Sequence, residues 1–410
     1  MKLLRTISTR RLLAVIAGLV AVIAGGGAIA VAASGTSPVP PVKPLAAAIH
    51  DALTAPTPQG ITAQISFTNH LIDSSNIQGS DPILTGGTGR VWISSDHRLR
   101  IELQSDNGDV EAVVQNGSFW VSDPASKTVY EGKLPAGHDG MHKRAGHDGL
   151  PSIAQIQTEL GRLMGHLDLS GATPGDVAGQ AAYTVRISPK HDGGLLGAGE
   201  LAWDSLRGVP LRIAVYARNA SSPVLELKAT DISYGPVPAS AFAVSPPSGA
   251  KIVKVAVPAG AHGAGASDHG AAFGPGEKGR HHAKISGVAA VARALPFKLT
   301  APSTLVGLPR RSVTLLDWGG SPAALVSYGA NLGGVAVIER TARSTTAGSP
   351  GAGGDRRSGL QLPTVSINGA TGHELDTALG TMVRFTRGSV AYTVIGSVPP
   401  AAADAAARAL

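Results

Sequence analysis

A chain of 410 residues exceeds one ordinary domain, and a hydrophobic fraction of 43% can fill two cores although only 4% of residues are aromatic. The absence of cysteine excludes a disulfide framework, a thiolate metal site and a lipid-modified N-terminal cysteine. The net charge of +7 is scattered without aromatic clustering, which excludes a nucleic-acid groove and suits a solvated surface facing anionic lipid.

The first 33 residues read as a membrane signal. Lys2, Arg5, Arg10 and Arg11 precede an uncharged run over residues 12–33, long enough to cross the hydrocarbon core as a helix. Positive charge before the run and none just after it predicts a short cytoplasmic tail at 1–11 and export of the rest. A retained single-pass anchor is the reading adopted here. Ala30-Val31-Ala32 has the small-x-small form of a cleavage site, so a removed signal peptide is the alternative. The excess of Ala, Gly, Arg and Pro suggests a GC-rich genome such as an actinobacterium's.

A Pro-rich spacer at 34–44 then holds the first domain off the membrane. Leu45, Ala48, Ile49, Ala52 and Leu53 recur at helical spacing and predict a short helix ending before Pro56. Ile61, Ala63, Ile65 and Phe67 alternate as a first strand. Residues 88–132 follow as an antiparallel meander: Leu99, Ile101 and Leu103 alternate with Arg100, Glu102 and Gln104. Asp106-Asn107-Gly108-Asp109, Asn116-Gly117 and Asp123-Pro124-Ala125-Ser126 mark its reversals. A loop with a repeated GHDG spans 135–149. A second helix, from about Ser152 to Leu167, carries the stripe Ile153, Ile156, Leu160, Leu163, Met164 and Leu167. Strands are predicted at 182–188, 199–204, 211–218 and 224–233, and residues 242–257 close the unit.

Several residues here occur in an order known from one family. These are Gly89-Arg90-Val91-Trp92 with Arg98-Leu99-Arg100, Asn116-Gly117-Ser118-Phe119-Trp120 with Asp123-Pro124, and Tyr183-Thr184-Val185. The set closes on Phe242-Ala243-Val244-Ser245-Pro246-Pro247-Ser248-Gly249. Over residues 45–257 the chain resembles the LolA/LppX superfamily of lipoprotein and lipid carriers, which includes the sensor RseB. The resemblance implies a strongly curved antiparallel half-barrel, lidded by helices, around an apolar cavity for acyl chains. The carriers' basic cavity residue, early in the meander, has no clear counterpart and would fall near Ser95 or Asp96.

Elementary physics agrees with that expectation. A curved sheet under a striped helix leaves a hollow, and burying acyl carbon there gains about 0.8 kcal/mol per methylene. Trp92, Leu99, Ile101, Leu103 and Trp120, with Leu163 from the helix, are the lining candidates; the alternative is that they pack a closed core.

Residues 258–283 are too polar and Gly-rich to bury a core and read as a linker. A smaller α+β domain is expected over 284–410. It has a helix near 287–294, strands at 312–318, 323–328 and 335–340, and a disordered insert at 344–359. A hairpin at 382–397 turns at Arg387-Gly388, and a helix follows Pro399-Pro400. The hairpin and final helix resemble a module of exported Gram-positive regulatory proteins.

Chemistry finds little support. His138, His142 and His147, with Asp139 and Asp148, and His262, His269, His281 and His282, with Asp268, lie in two Gly-rich loops. Gathering them on a metal would cost much loop entropy and no rigid ligand spacing assists, so solvated histidines are expected. Asp204 and Asp317 flank tryptophans, but as a glycosidase pair they fall in different predicted domains. The expectation is a binding protein that is not an enzyme and carries no cofactor. Its partners would be lipid or lipoprotein acyl chains or, for a sensor, a membrane protein such as an anti-sigma factor.

Overall fold

The computed structural model describes residues 39–73, 82–104, 109–124, 126–134, 151–191, 193–256, 285–317, 321–342 and 362–410. The anchor and cytoplasmic tail, the Asp106-Asn107-Gly108 reversal, the GHDG loop, the linker, the insert and every loop histidine weighed above lie outside them. Among the described residues no helix is long and apolar enough to cross a membrane.

The described residues build two β-sheets, antiparallel but for one strand pair. The first carries helix α1 (Leu45–Thr54), strand β1 (Gly60–Asn69) and a single turn α2 (Pro82–Thr85). The meander follows as β2 (Gly86–Ser94), β3 (Leu99–Leu103), β4 (Val110–Gln115), β5 (Ser118–Asp123) and β6 (Thr128–Lys133). Then come α3 (Ile153–Leu163), β7 (Leu167–Leu169), β8 (Thr173–Val177), β9 (Gln180–Pro189), β10 (Leu196–Asp204), β11 (Pro210–Ala217), β12 (Leu225–Tyr234) and β13 (Lys251–Ala256). Their order is β13-β6-β5-β4-β3-β2-β1-β12-β11-β10-β9-β7, with β8 also on β9. The sheet curls into a half-barrel, as the fold reading expected. Reversals form where residues tolerate positive φ: Asn116-Gly117 at 51° and 68°, and Ala178-Gly179 at 56° and 72°.

One pair breaks the antiparallel rule. β13 runs parallel to β6, Val253 opposite Tyr130, because the chain reaches that edge by crossing the outside of the sheet. This crossing strap, residues 239–250, drops Phe242 into a fully buried site. Val244 and Ala250 of the strap pack on Val113, Trp120 and Val129. The Phe-x-x-x-Pro-Pro-x-Gly stretch is therefore a cover for the outer face.

The second helix is shorter than its stripe suggested. Ser152 caps it reciprocally with Gln155, and it ends at Leu163, so Leu167 opens β7 instead. Rather than lying on the sheet, α3 stacks on α1, with the Pro151 carbonyl 3.0 Å from Nδ1 of His50. It is α1 that meets the sheet, through Ala48 against Tyr183, Val185 and Trp203.

The second sheet comprises α4 (Val288–Ala294), β14 (Thr304–Leu305), β15 (Leu308–Asp317), β16 (Pro322–Tyr328), β17 (Val335–Thr341), β18 (Thr364–Ile367), β19 (Ala370–Thr377), β20 (Gly380–Arg387), β21 (Val390–Gly396) and α5 (Pro400–Arg408). Its order is β14-β15-β16-β17-β21-β20-β19-β18. The last hairpin turns on Gly388-Ser389, one residue later than expected, with Gly388 at φ 57° in the first central position. α4 and α5 bury Val291 and Ala403, Ala406 and Ala407 in the shared core. The two sheets touch where the Leu195 amide donates to the carbonyl and hydroxyl of Ser397, and the Ala378 amide to the Leu71 carbonyl.

Candidate functional site

Period-2 alternation and strand register together decide what the curled sheet shows on its inside. Ile61 faces Ile93, and Ala63 faces Val91. Val91 in turn faces Ile101, and Ile93 faces Leu99. On the other side of β1, Ala63 pairs with Ile232 and, past a bulge, Ile65 with Ala229. These side chains, joined by Val209, Leu211, Ile213 and Leu227, line a shallow apolar trough that lies open to solvent on one side. The inner face continues under β4 and β5 through Ala112, Phe119 and Val121. At the far end α1 fills it.

The single charged lining residue is Arg212, and its guanidinium is fully engaged. It donates to Glu226 at 2.6 Å, to Glu200 at 2.7 Å and to the Tyr216 hydroxyl at 2.8 Å. Burial alone would raise the Glu200 carboxyl, but hydrogen bonds from Arg212, Arg186 and Tyr216 bring it below the usual range. Arg212 therefore offers the trough no free charge. Asp204 is likewise occupied: it accepts the Leu206 and Arg207 amides at 2.8 and 3.0 Å and the Tyr234 hydroxyl at 2.7 Å. Burial, reinforced by this carboxylate, pushes the Tyr234 phenol up. Asp204 is a turn cap in the first sheet, whereas Asp317 ends β15 in the second.

Toward the start of β1 the trough turns polar. Ile61, Ile93 and Leu99 also border a smaller recess with Thr57, Ser94, Ser95, His97 and Arg98. The turn between β2 and β3 that forms it holds His97 at φ 65°, and Arg98 pairs with Asp96 at 2.9 Å. This is where the carriers' basic residue would fall by order. Here that stretch contributes hydroxyls, an exposed imidazole and an internally paired Arg-Asp couple.

The lining candidates separate into two groups. Leu99 and Ile101 line the trough, and Leu103 packs on the same inner face. Trp92 and Trp120 do not. Trp92 pairs with Arg100, whose guanidinium lies 4.8 Å from its ring on the outer face, and Trp120 sits under the strap. Leu163 is exposed on α3, because that helix rests on α1 and never reaches the trough. Sequence reasoning missed the contributions of β1, β11 and β12. The alternation Ile61-Ala63-Ile65 was a usable signal; the bulge after Gln64 and the register of β12 were not visible in it. Among the described residues no group of three or more His, Cys, Asp or Glu could hold a metal ion.

No protein-family model matches the chain, and no curated protein matches it. Solved structures do. The MucA/MucB complex of Pseudomonas aeruginosa matches with 16% identity over 89% of this chain and 95% of that one, at a TM-score of 0.37. An uncharacterized conserved protein of Thermus thermophilus matches with 11% identity over 52% of this chain and 97% of its own, at 0.30. A domain from Vibrio parahaemolyticus described as a putative outer membrane lipoprotein-sorting protein domain matches with 11% identity over 45% of this chain and 89% of its own, at 0.15. At such values the likeness carries no inference about ligand or partner.

Proposed function

We propose that the protein is an extracytoplasmic binding protein, tethered by residues 12–33, that holds an acyl chain in the trough of its first sheet. It acts without catalysis. The observation that carries the reading is an inner face walled by aliphatic residues from five strands and open on one side, with its one arginine neutralised on the outside. Each methylene laid in such a trough gains about 0.8 kcal/mol. The Ser94–Arg98 turn, polar and nearly neutral, suits the hydroxylated or ester end of an amphiphile. Carrier and sensor use the same trough, and in a sensor the second sheet contacts a membrane protein partner.

Lipid extraction and mass spectrometry of the protein purified from its membranes tests the reading. Co-purified acyl lipid at near one equivalent is expected. A protein that carries no lipid and acquires none from mixed lipid vesicles contradicts it, and the fold would then be a partner-binding scaffold.

A further inference from the structure

The amphipathic stripe of α3 has no partner over most of its length. Ile156 is buried against α1, while Ile153, Leu163 and Met164 are 40%, 49% and 48% exposed. Leu53 at the end of α1 is 44% exposed. The β10–β11 turn, which carries Leu206 at 67% exposure, packs Gly208 against the Ala52 carbonyl near the end of α1. At the C-terminal end of α3, Arg162 is paired with Glu159 at 2.5 Å and Lys190 donates to the Met164 carbonyl. Apolar residues this open mark an interaction surface.

The path of the chain selects the occupant. Residues 39–44 are tied to the sheet beside α1: the Pro41 carbonyl accepts the Tyr183 hydroxyl at 2.6 Å, and Lys43 bridges to Ala172 and pairs with Asp51. Only residues 34–38 separate this anchorage from the uncharged run at 12–33. Five residues span at most about 18 Å, so the helix pair is held close to wherever that run leaves the bilayer. We infer that the exposed apolar edge of the α1–α3 pair docks on the lipid surface, with Leu163 and Met164 inserted at headgroup depth and Lys190 beside them facing anionic headgroups. The inference rests on the tether in the reading above and is independent of whether the trough holds lipid. It places the α1–α3 helix pair at the membrane surface.

The cysteine-free chain permits single-site labelling. Full-length M164C, and S248C on the remote strap as a control, are labelled with an environment-sensitive fluorophore. Both are reconstituted into phosphatidylcholine–phosphatidylglycerol vesicles containing headgroup-region nitroxide lipid. At least twofold stronger quenching at position 164 than at 248 is expected, reduced toward the control by adding I153E and L163E, both at exposed positions. Equal quenching at the two sites in chains that co-float with vesicles overturns the docking while leaving the tether intact. Failure to co-float overturns the tether and the docking together. A label at 164 already shielded in lipid-free solution, with a doubled molar mass, overturns it in favour of a second copy on this face. Lipid extraction that finds the trough empty leaves the quenching result unchanged, so the two readings fail separately.

Discussion

Glu339 offers the most closely worked perturbation. It is fully buried on β17, where its position faces Ala324 of β16 and Tyr392 of β21. The Thr300 amide donates to Oε2 at 2.9 Å, the Thr300 hydroxyl meets that of Tyr392 at 3.1 Å, and Oε1 has no partner. Burial raises its carboxyl to about 7, the Thr300 amide opposing only part of the effect. Burial also pushes the nearby Tyr328 phenol up to about 12, so that group stays neutral across the range that matters. A carboxyl whose folded value lies above its unfolded value favours folding below the unfolded value and loses that contribution as pH rises through the folded one. The window is thus about pH 4.5 to 7, and at roughly 1.4 kcal/mol per unit the full loss is about 3 kcal/mol. Glu339→Gln keeps the acceptor for Thr300 and cannot ionise, so its stability should stay flat where the wild type declines. Its amide hydrogens lack a partner, which makes the gain at pH 8 smaller than the full value. Urea unfolding at half-unit steps from pH 4 to 8.5 measures both. Parallel profiles for wild type and variant would refute the reasoning.

Three further outcomes follow from packing. Phe242→Ala should cost about 3–5 kcal/mol and loosen the strap over Trp120, read as a red shift in tryptophan emission. Unchanged emission would mean that the strap is held by other contacts. At Gly194, φ is 64° and a Cβ would collide with the Ser397 carbonyl oxygen, so Gly194→Val should part the two sheets and enlarge the radius of gyration in solution scattering. An unaltered scattering curve would show that the contact does not hold them. Limited proteolysis should cut first within 258–283 and leave two protected fragments; a chain resistant there would count against two independently folding units.

The meander was legible because its strands alternate and Asn116-Gly117 tolerates positive φ. Which way each strand faces was only partly so. Leu99, Ile101 and Leu103 share a face by spacing alone. Trp92 lies outside because it pairs with Arg100, and register between strands is a long-range property that no local pattern records. The stripe of α3 was equally plain, but a stripe says nothing about what covers it, and here α1 covers little more than Ile156. Asn368-Gly369, at φ 49° and 85°, announces the β18–β19 hairpin that the reading of the C-terminal half passed over. β7 and β8 are short and include Pro174 and Gly175, so their strand character comes from pairing with β9 rather than from propensity.

The central claim is that the inner face of the first sheet takes an acyl chain. It is tested most directly by titrating the purified protein with a fluorescent fatty acid, comparing wild type with Ile101→Glu and Ile101→Leu. Ile101 lines the trough between Val91 and Ala112, so a glutamate there sets an unpaired carboxylate against the bound chain. Saturable uptake by the wild type and the leucine variant is expected, with at least tenfold weaker uptake by the glutamate variant at unchanged circular dichroism. No uptake by the wild type, or equal uptake by all three, would contradict the account.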